Sequence, residues 1–333
     1  MPERRWKDFL YRVIAELYNR ADFIEVMDYP RSINRRSIDM VVQLKDGKTL
    51  LIKVAYDLNC VPKGEIKELL GLSMKLAIPS VVISEKNGQI QLFEGVVYEK
   101  NGAKIVTLET LLSAMDNNDI FIHQDKDNFK VKINPDKLRE KRTRSNMSLG
   151  EVASILKVSR RSIYEYERGT IEPSANLGEK LVNIFGEDIL EPINLFVPEK
   201  GKGQESQVEN QPVDVIEEEI IMNNLIGLGF EAYHAKRTVL DIGARSVKDG
   251  KRMLIIVRHG KEGVNALTTK AENLEKLSSA TNSKSYIVVN DEKRLTKELE
   301  AGNAKVFTLE EFLEVLRENF DKANKEENTG HHW

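Results

Sequence analysis

Residues 148–169 read SLGEVASILKVSRRSIYEYERG, and this stretch decides the architecture. Ser148 stands three residues before Glu151. In that Ser-x-x-Glu spacing, hydroxyl and carboxylate satisfy each other's free backbone N–H groups at a helix start. Ser159 can cap a second helix, and Gly169 can close it in the left-handed conformation. Val152, Leu156, Val158, Ile163 and Tyr166 recur at intervals that bury one face of each helix across a short turn, and the small Ala153 lets the helices approach closely. That pattern predicts a helix-turn-helix. With Ile163 and Tyr166 turned inward, Arg160, Arg161, Tyr164, Glu165 and Arg168 are left on the outer surface.

Similar start signals continue on both sides. Pro135 suits the first position of a helix over KLREKRTR, and Pro173-Ser174 opens another over ANLGEKLVNIFG. Residues 130–192 are therefore expected to form an all-α domain of four to five helices. From Asn134 to Thr170 there are nine Lys or Arg against five Asp or Glu, a net of +4, inside a chain whose total is −3. A generally cationic nucleic-acid coat is excluded, so any such surface must be local. A helix start bearing two arginines suits the major groove. The forked guanidinium matches both guanine acceptors, and helix N-termini attract phosphate.

The flanks have a different grammar. AKIVTLETLL from Ala103 and AKVFTLEEFL from Ala304 are identical at six of ten positions. In the same order, SIDMVVQLKDGKTLLIKV from Ser37 corresponds to VLDIGARSVKDGKRMLIIV from Val239, and PSVVISEKN from Pro79 to KSYIVVNDE from Lys284. Three segments in register mark an internal duplication. Each copy begins with an amphipathic helix (6–18; 217–228), then a hairpin on a Lys-Asp-Gly turn, a second helix (63–76; 267–281), an apolar strand (80–84; 285–290), and a closing strand and helix (104–115; 305–316). Helices interleaved with a mixed sheet read as α/β. The organisation expected is an α/β domain at 1–120, the helical domain at 130–192, a polar linker at 198–213, a second α/β domain at 214–318 and a polar tail at 319–333.

The phrase LREKRTRSNMSLGEVASILKVSRRSIYEYERGTIEPS, from Leu138 to Ser174, resembles the Cro/C1-type (XRE) helix-turn-helix family almost throughout. The resemblance implies a motif over 149–168 and a recognition helix over 159–168. Ser148 and Ser159 would touch phosphate, while Arg160, Arg161 and Tyr164 would approach base edges and Arg168 would complete the surface. Lys157 stands where the family often has glycine. A left-handed non-glycine residue there costs about 1 kcal/mol, and its ammonium would reach a phosphate. The layout as a whole is similar to a family of archaeal HTH-type transcriptional regulators, in which this module lies between two α/β segments. Its partners would be double-stranded DNA, a second copy of the chain in a homodimer, and the transcription machinery or a small effector.

The first α/β copy resembles the restriction-endonuclease-like fold, which holds magnesium with an acidic residue on one strand and Glu-x-Lys on the next. Asp39 and Lys53 match, and Glu16 offers a further carboxylate. Leu51, however, stands where the second carboxylate belongs. In the second copy Asp241 remains, but Leu254 and Ile256 replace the other two. The expectation is two homologous, non-catalytic α/β domains, with Asp39 and Lys53 as a partly buried ion pair or as separate strand-end charges. The rival reading is a structure-directed nuclease or resolvase that uses the helix-turn-helix as a targeting arm.

Other chemistry is sparse. His123, His234, His259, His331 and His332 contain no i, i+4 pair, so no metal or cofactor is expected. Gly227 and Gly229 in LIGLGF mark a helix end, not a phosphate loop. Cys60, the one cysteine, reads as a lone buried thiol. Apolar residues make up 41% and charged residues 31%, with no apolar run of membrane-spanning length and no signal-peptide core. No membrane association and a cytoplasmic location follow as expectations.

Overall fold

Local caps and strand patterns account for most of the elements. A computed structural model describes residues 2–32, 36–126, 128–198, 213, 215–258, 264–289 and 305–318. They belong to two compact units, one of residues 1–54, 59–81 and 196–333, the other of residues 55–58 and 82–195. Nearly all of the expected linker, the polar tail, His259, His331 and His332 lie outside the described residues. Among the described residues no helix is long and apolar enough to cross a membrane.

The first unit starts with α1 (Pro2–Leu17), β1 (Ala21–Val26), β2 (Met40–Leu44), β3 (Thr49–Asp57) and α2 (Lys63–Leu76). The strands pair as an antiparallel meander, with Met40 opposite Ile52 across the hairpin. Gly47 takes φ +80° in its turn, as the Lys-Asp-Gly signal requires. Strand β3 is buried from Leu50 through Ala55, so both of its faces are covered. Cys60 departs from expectation and is exposed. It ends the short 3-10 turn after β3, whose one buried member is Leu58.

The second unit holds β4 (Ser80–Asn87), β5 (Ile90–Gln91), β6 (Val96–Lys100), β7 (Ala103–Val106), α3 (Leu108–Met115), β8 (Ile122–Asp125) and β9 (Asn128–Val131). Helices α4 (Pro135–Arg144), α5 (Leu149–Leu156), α6 (Arg160–Tyr166) and α7 (Ala175–Phe185) follow. Strand β7 runs parallel to β4 and antiparallel to β6, and β8 lies parallel to β6 and antiparallel to β9. The helical module is not purely α. Val131 N–H donates to Pro173 O at 3.1 Å, Asn134 N–H to Ile189 O at 2.8 Å, and isolated bridges join Lys130 to Ser174 and Ile133 to Leu190. Val131 also packs so closely on Gly178 that a Cβ there would meet it at 2.3 Å.

The first unit resumes with α8 (Ile216–Gly227), β10 (Phe230–His234), β11 (Ile242–Ser246), β12 (Arg252–Val257), α9 (Val264–Ala280), β13 (Lys284–Val289), β14 (Lys305–Thr308) and helical residues 309–318. These strands form a sheet in the order β10-β11-β12-β13-β14, antiparallel through β12 and parallel thereafter. The antiparallel part repeats the β1-β2-β3 meander. Packing between the two blocks of this unit is reciprocal: α2 lies against β10 and β11, and α9 against β1 and β2. On one side, buried Glu68 of α2 accepts from Lys236 N–H and Arg237 N–H at 2.8 Å and from Ser37 Oγ at 2.9 Å. On the other, Asn273 Oδ1 of α9 accepts from Asp28 N–H at 2.7 Å.

Candidate nucleic-acid interface

Each helix of the module starts where its cap dictates. Asn134, Ser148, Ser159 and Ser174 accept from the N–H three residues on, in Lys137, Glu151, Ser162 and Leu177. At Ser148 the box is complete, since Glu151 Oε2 accepts from the Ser148 N–H at 2.7 Å. That bond, with the serine hydroxyl second, holds the exposed Glu151 carboxyl below its ordinary pKa. Lys157 ends α5 at φ 57°, ψ 44°, the left-handed turn that its place in the motif demands. Val152, Ala153, Leu156, Ile163 and Tyr166 join Leu138, Leu181, Phe185 and Ile189 in one core. Because that core uses one face of α6, the opposite face is exposed.

On it stand the residues expected from sequence. Arg160 is exposed and has no ion-pair partner among the described residues. Arg161 has a side chain 84% exposed, and its Nε donates to Glu165 Oε1 at 2.8 Å, one helical turn away. Tyr164 is 49% exposed, with the Arg168 guanidinium 5.6 Å over its ring. Ser159 shares a 2.9 Å hydrogen bond with Ser162 Oγ besides its cap, and Lys157 projects from the turn. The structure thus leaves Lys157, Ser159, Arg160, Arg161, Tyr164 and Arg168 exposed on α6 and the turns that flank it, with Ser148 at the start of α5.

Sequence reasoning missed Arg142. From the last turn of α4 its Nε and Nη2 donate to Glu167 Oε1 and Oε2 at 2.5 and 2.9 Å, and Nη1 donates to Met147 O at 2.9 Å. Glu167 caps the end of α6, so this fork ties the exposed helix to α4. It also holds the Arg142 guanidinium above its ordinary pKa. The partners are 25 residues apart, and no local signal pairs them.

The nuclease-like positions lie in the first unit and are closed. Asp39 Oδ2 sits 3.2 Å from Lys53 Nζ, which is 3.0 Å from Glu65 Oε2 on α2, and all three are fully buried. Two expectations change. The pair is fully buried, and a second carboxylate is present, brought by α2 and not by β3, where Leu51 lies in the core. Glu16 is exposed on α1. Burial pushes the Glu65 carboxyl above its ordinary range, against the pull of Lys53. Asp39 Oδ1 and Glu65 Oε1 have no hydrogen-bond partner among the described residues, although Arg36 Nη1 stands 3.9 Å from the former. The Lys53 ammonium lies between the two carboxylates, and the whole cluster is buried. Asp241 is treated alike: Lys270 Nζ, from α9, lies 2.9 Å from both of its oxygens. Val54 N–H and Val257 N–H donate to Asp39 Oδ2 and Asp241 Oδ2, each at 2.8 Å. Both aspartates thus hold a strand backbone and are neutralised by a lysine.

Residues 7–120 match the PD-(D/E)XK superfamily domain, and residues 138–191 match the family described as helix-turn-helix. A relative from Aeropyrum pernix, named "Putative HTH-type transcriptional regulatory protein", is 39% identical over 96% of this chain and 98% of its own length. Proteins of the same description from Methanocaldococcus jannaschii and Saccharolobus islandicus are 25% and 27% identical, over 92% and 87% of this chain and 92% and 89% of theirs. No solved structure gives a significant match.

Proposed function

Because the chain belongs to the family of archaeal HTH-type transcriptional regulatory proteins, we propose that it regulates transcription by reading a specific DNA sequence in the major groove through α6. The observation that carries this reading is the division of α6 into a core-filling face and an exposed face bearing Arg160, Arg161 and Tyr164, with Arg168 exposed in the turn that follows. Arg160 and Arg161 take guanine edges, Tyr164 and Arg168 flank them, and Ser148, Lys157 and Ser159 meet phosphate. Replacing Arg160 or Arg161 with alanine should weaken operator binding by roughly ten- to a hundredfold while leaving the fold intact. Operator titrations with unchanged affinity would refute the assignment.

One module covers a few base pairs, so the reading includes a homodimer whose modules lie about 34 Å apart or a multiple of that. The α/β blocks then serve self-association, or meet the transcription machinery or a small effector. We read the second block as a homologue of the first, on the sequence repeat and on the matching meander at β10-β11-β12.

The superfamily match at residues 7–120 favours a second reading, a metal-dependent nuclease. The buried Asp39–Lys53–Glu65 cluster speaks against it and supports a non-catalytic scaffold. The full chain incubated with branched and linear DNA plus magnesium should give no cleavage. Metal-dependent product that disappears in Asp39→Ala would restore the nuclease.

A further inference from the structure

Beside the arginines, α6 and the turn after it expose two apolar groups that phosphate recognition does not use. Ile171 is 41% exposed and Tyr164 49%. Together with Arg161, Glu165, Arg168 and Thr170 they line an open concavity at the end of the helix. Its shape is fixed by the chain itself. Gly169 turns the backbone at φ +66°, and Thr170 N–H and Oγ1 both donate to Glu165 O at 3.1 Å, which pins Ile171 next to the helix. The guanidinium over the Tyr164 ring, 5.6 Å from its centroid, restrains the other wall. The result is a small apolar floor inside a cationic rim.

A polyanionic duplex supplies little that is apolar. In the major groove the one apolar group on a base edge is the C5-methyl of thymine. We infer that the Tyr164–Ile171 concavity receives a thymine methyl, so that Ile171, outside the helix-turn-helix itself, determines specificity for one T·A pair at the edge of the bases read by Arg160 and Arg161. This rests on the DNA-binding reading above and adds to it the identity of one base and the residue that selects it. The rim supplies charge complementarity: Arg168 faces a phosphate and Arg161 the neighbouring base, while the floor meets the methyl.

The test uses the full chain and an operator defined by selecting bound genomic fragments. Each thymine is then replaced singly by deoxyuridine, which removes the methyl alone. One position per half-site should lose affinity by about fourfold, the worth of one buried methyl. At that position Ile171→Ala should bind the thymine and uracil operators equally, while Ile171→Val keeps the discrimination. An operator whose every thymine tolerates uracil overturns the inference, and so does a penalty that survives in Ile171→Ala; in both cases DNA binding itself stands. A chain that retains no genomic fragment overturns the DNA-binding reading, and the thymine assignment with it.

Discussion

Arg142→Ala should cost the helix-turn-helix about 3 kcal/mol and loosen α6 before the rest of its unit unfolds. The guanidinium makes three hydrogen bonds, two to Glu167 and one to Met147 O, and the Glu167 side chain is 7% exposed. Removing the arginine leaves that carboxylate buried without a counter-charge, which is the costly way to break such a pair. The reverse change, Glu167→Ala, should cost less, about 1–2 kcal/mol, because a long arginine stem can carry its charge out to water. Urea unfolding of both variants checks the order, and amide exchange along α6 locates the loss. An Arg142→Ala midpoint equal to that of the parent chain would remove the fork as the anchor of α6. DNA binding gives an independent reading. Arg142 is directed at Glu167, so its loss should lower operator affinity while leaving the salt slope unchanged, whereas loss of a phosphate-contacting lysine or arginine reduces that slope.

What could be read from sequence was the part of the fold written in short-range signals. Asn134, Ser148, Ser159 and Ser174 each satisfy a donor three residues away, so helix starts were legible one by one. The Lys-Asp-Gly turns gave both hairpins for the same reason. Strands β1, β5, β6, β8, β9 and β10 were not anticipated. Strand β1 is only partly buried and β9 is half-exposed, so neither repeats the apolar pattern that marks a core strand. In the closed cluster, the spacing of Asp39 and Lys53 across a known turn placed them together correctly. Glu65 and Lys270 reach their aspartates from helices, and where a helix lies over a sheet depends on packing that no local pattern encodes. Cys60 was misplaced because composition favours burial of a lone thiol, whereas its turn had only one inward position, taken by Leu58.

Gly71→Ala should destabilise the first unit by about 2 kcal/mol, although alanine is the better helix former by about 1 kcal/mol. Gly71 lies in α2, and a Cβ there would stand 2.3 Å from Cε2 and 2.5 Å from Cζ of Tyr233 on β10. That ring is 1% exposed and has no open side into which to move. Overlap therefore outweighs propensity. Gly227, at the end of α8, is the control, since a Cβ there meets nothing within 4 Å and alanine should be neutral or slightly favourable. Glu68→Ala attacks the same face by another route, leaving the N–H groups of Lys236 and Arg237 without an acceptor at about 1–3 kcal/mol each. Burial holds the Glu68 carboxyl above its ordinary range, against the donors that surround it. A raised carboxyl pKa means that the folded chain binds a proton more readily than the unfolded one. The contribution of Glu68 is therefore greatest below the ordinary carboxylate pKa and falls as pH rises from there. The deficit of Glu68→Ala relative to the parent should accordingly be larger in mild acid than near neutrality. Thermal melts of Gly71→Ala, Gly227→Ala and Glu68→Ala decide the matter. A Gly71→Ala chain that melts above its parent would mean that α2 does not seat on β10, and the reciprocal packing of the two blocks would fall with it.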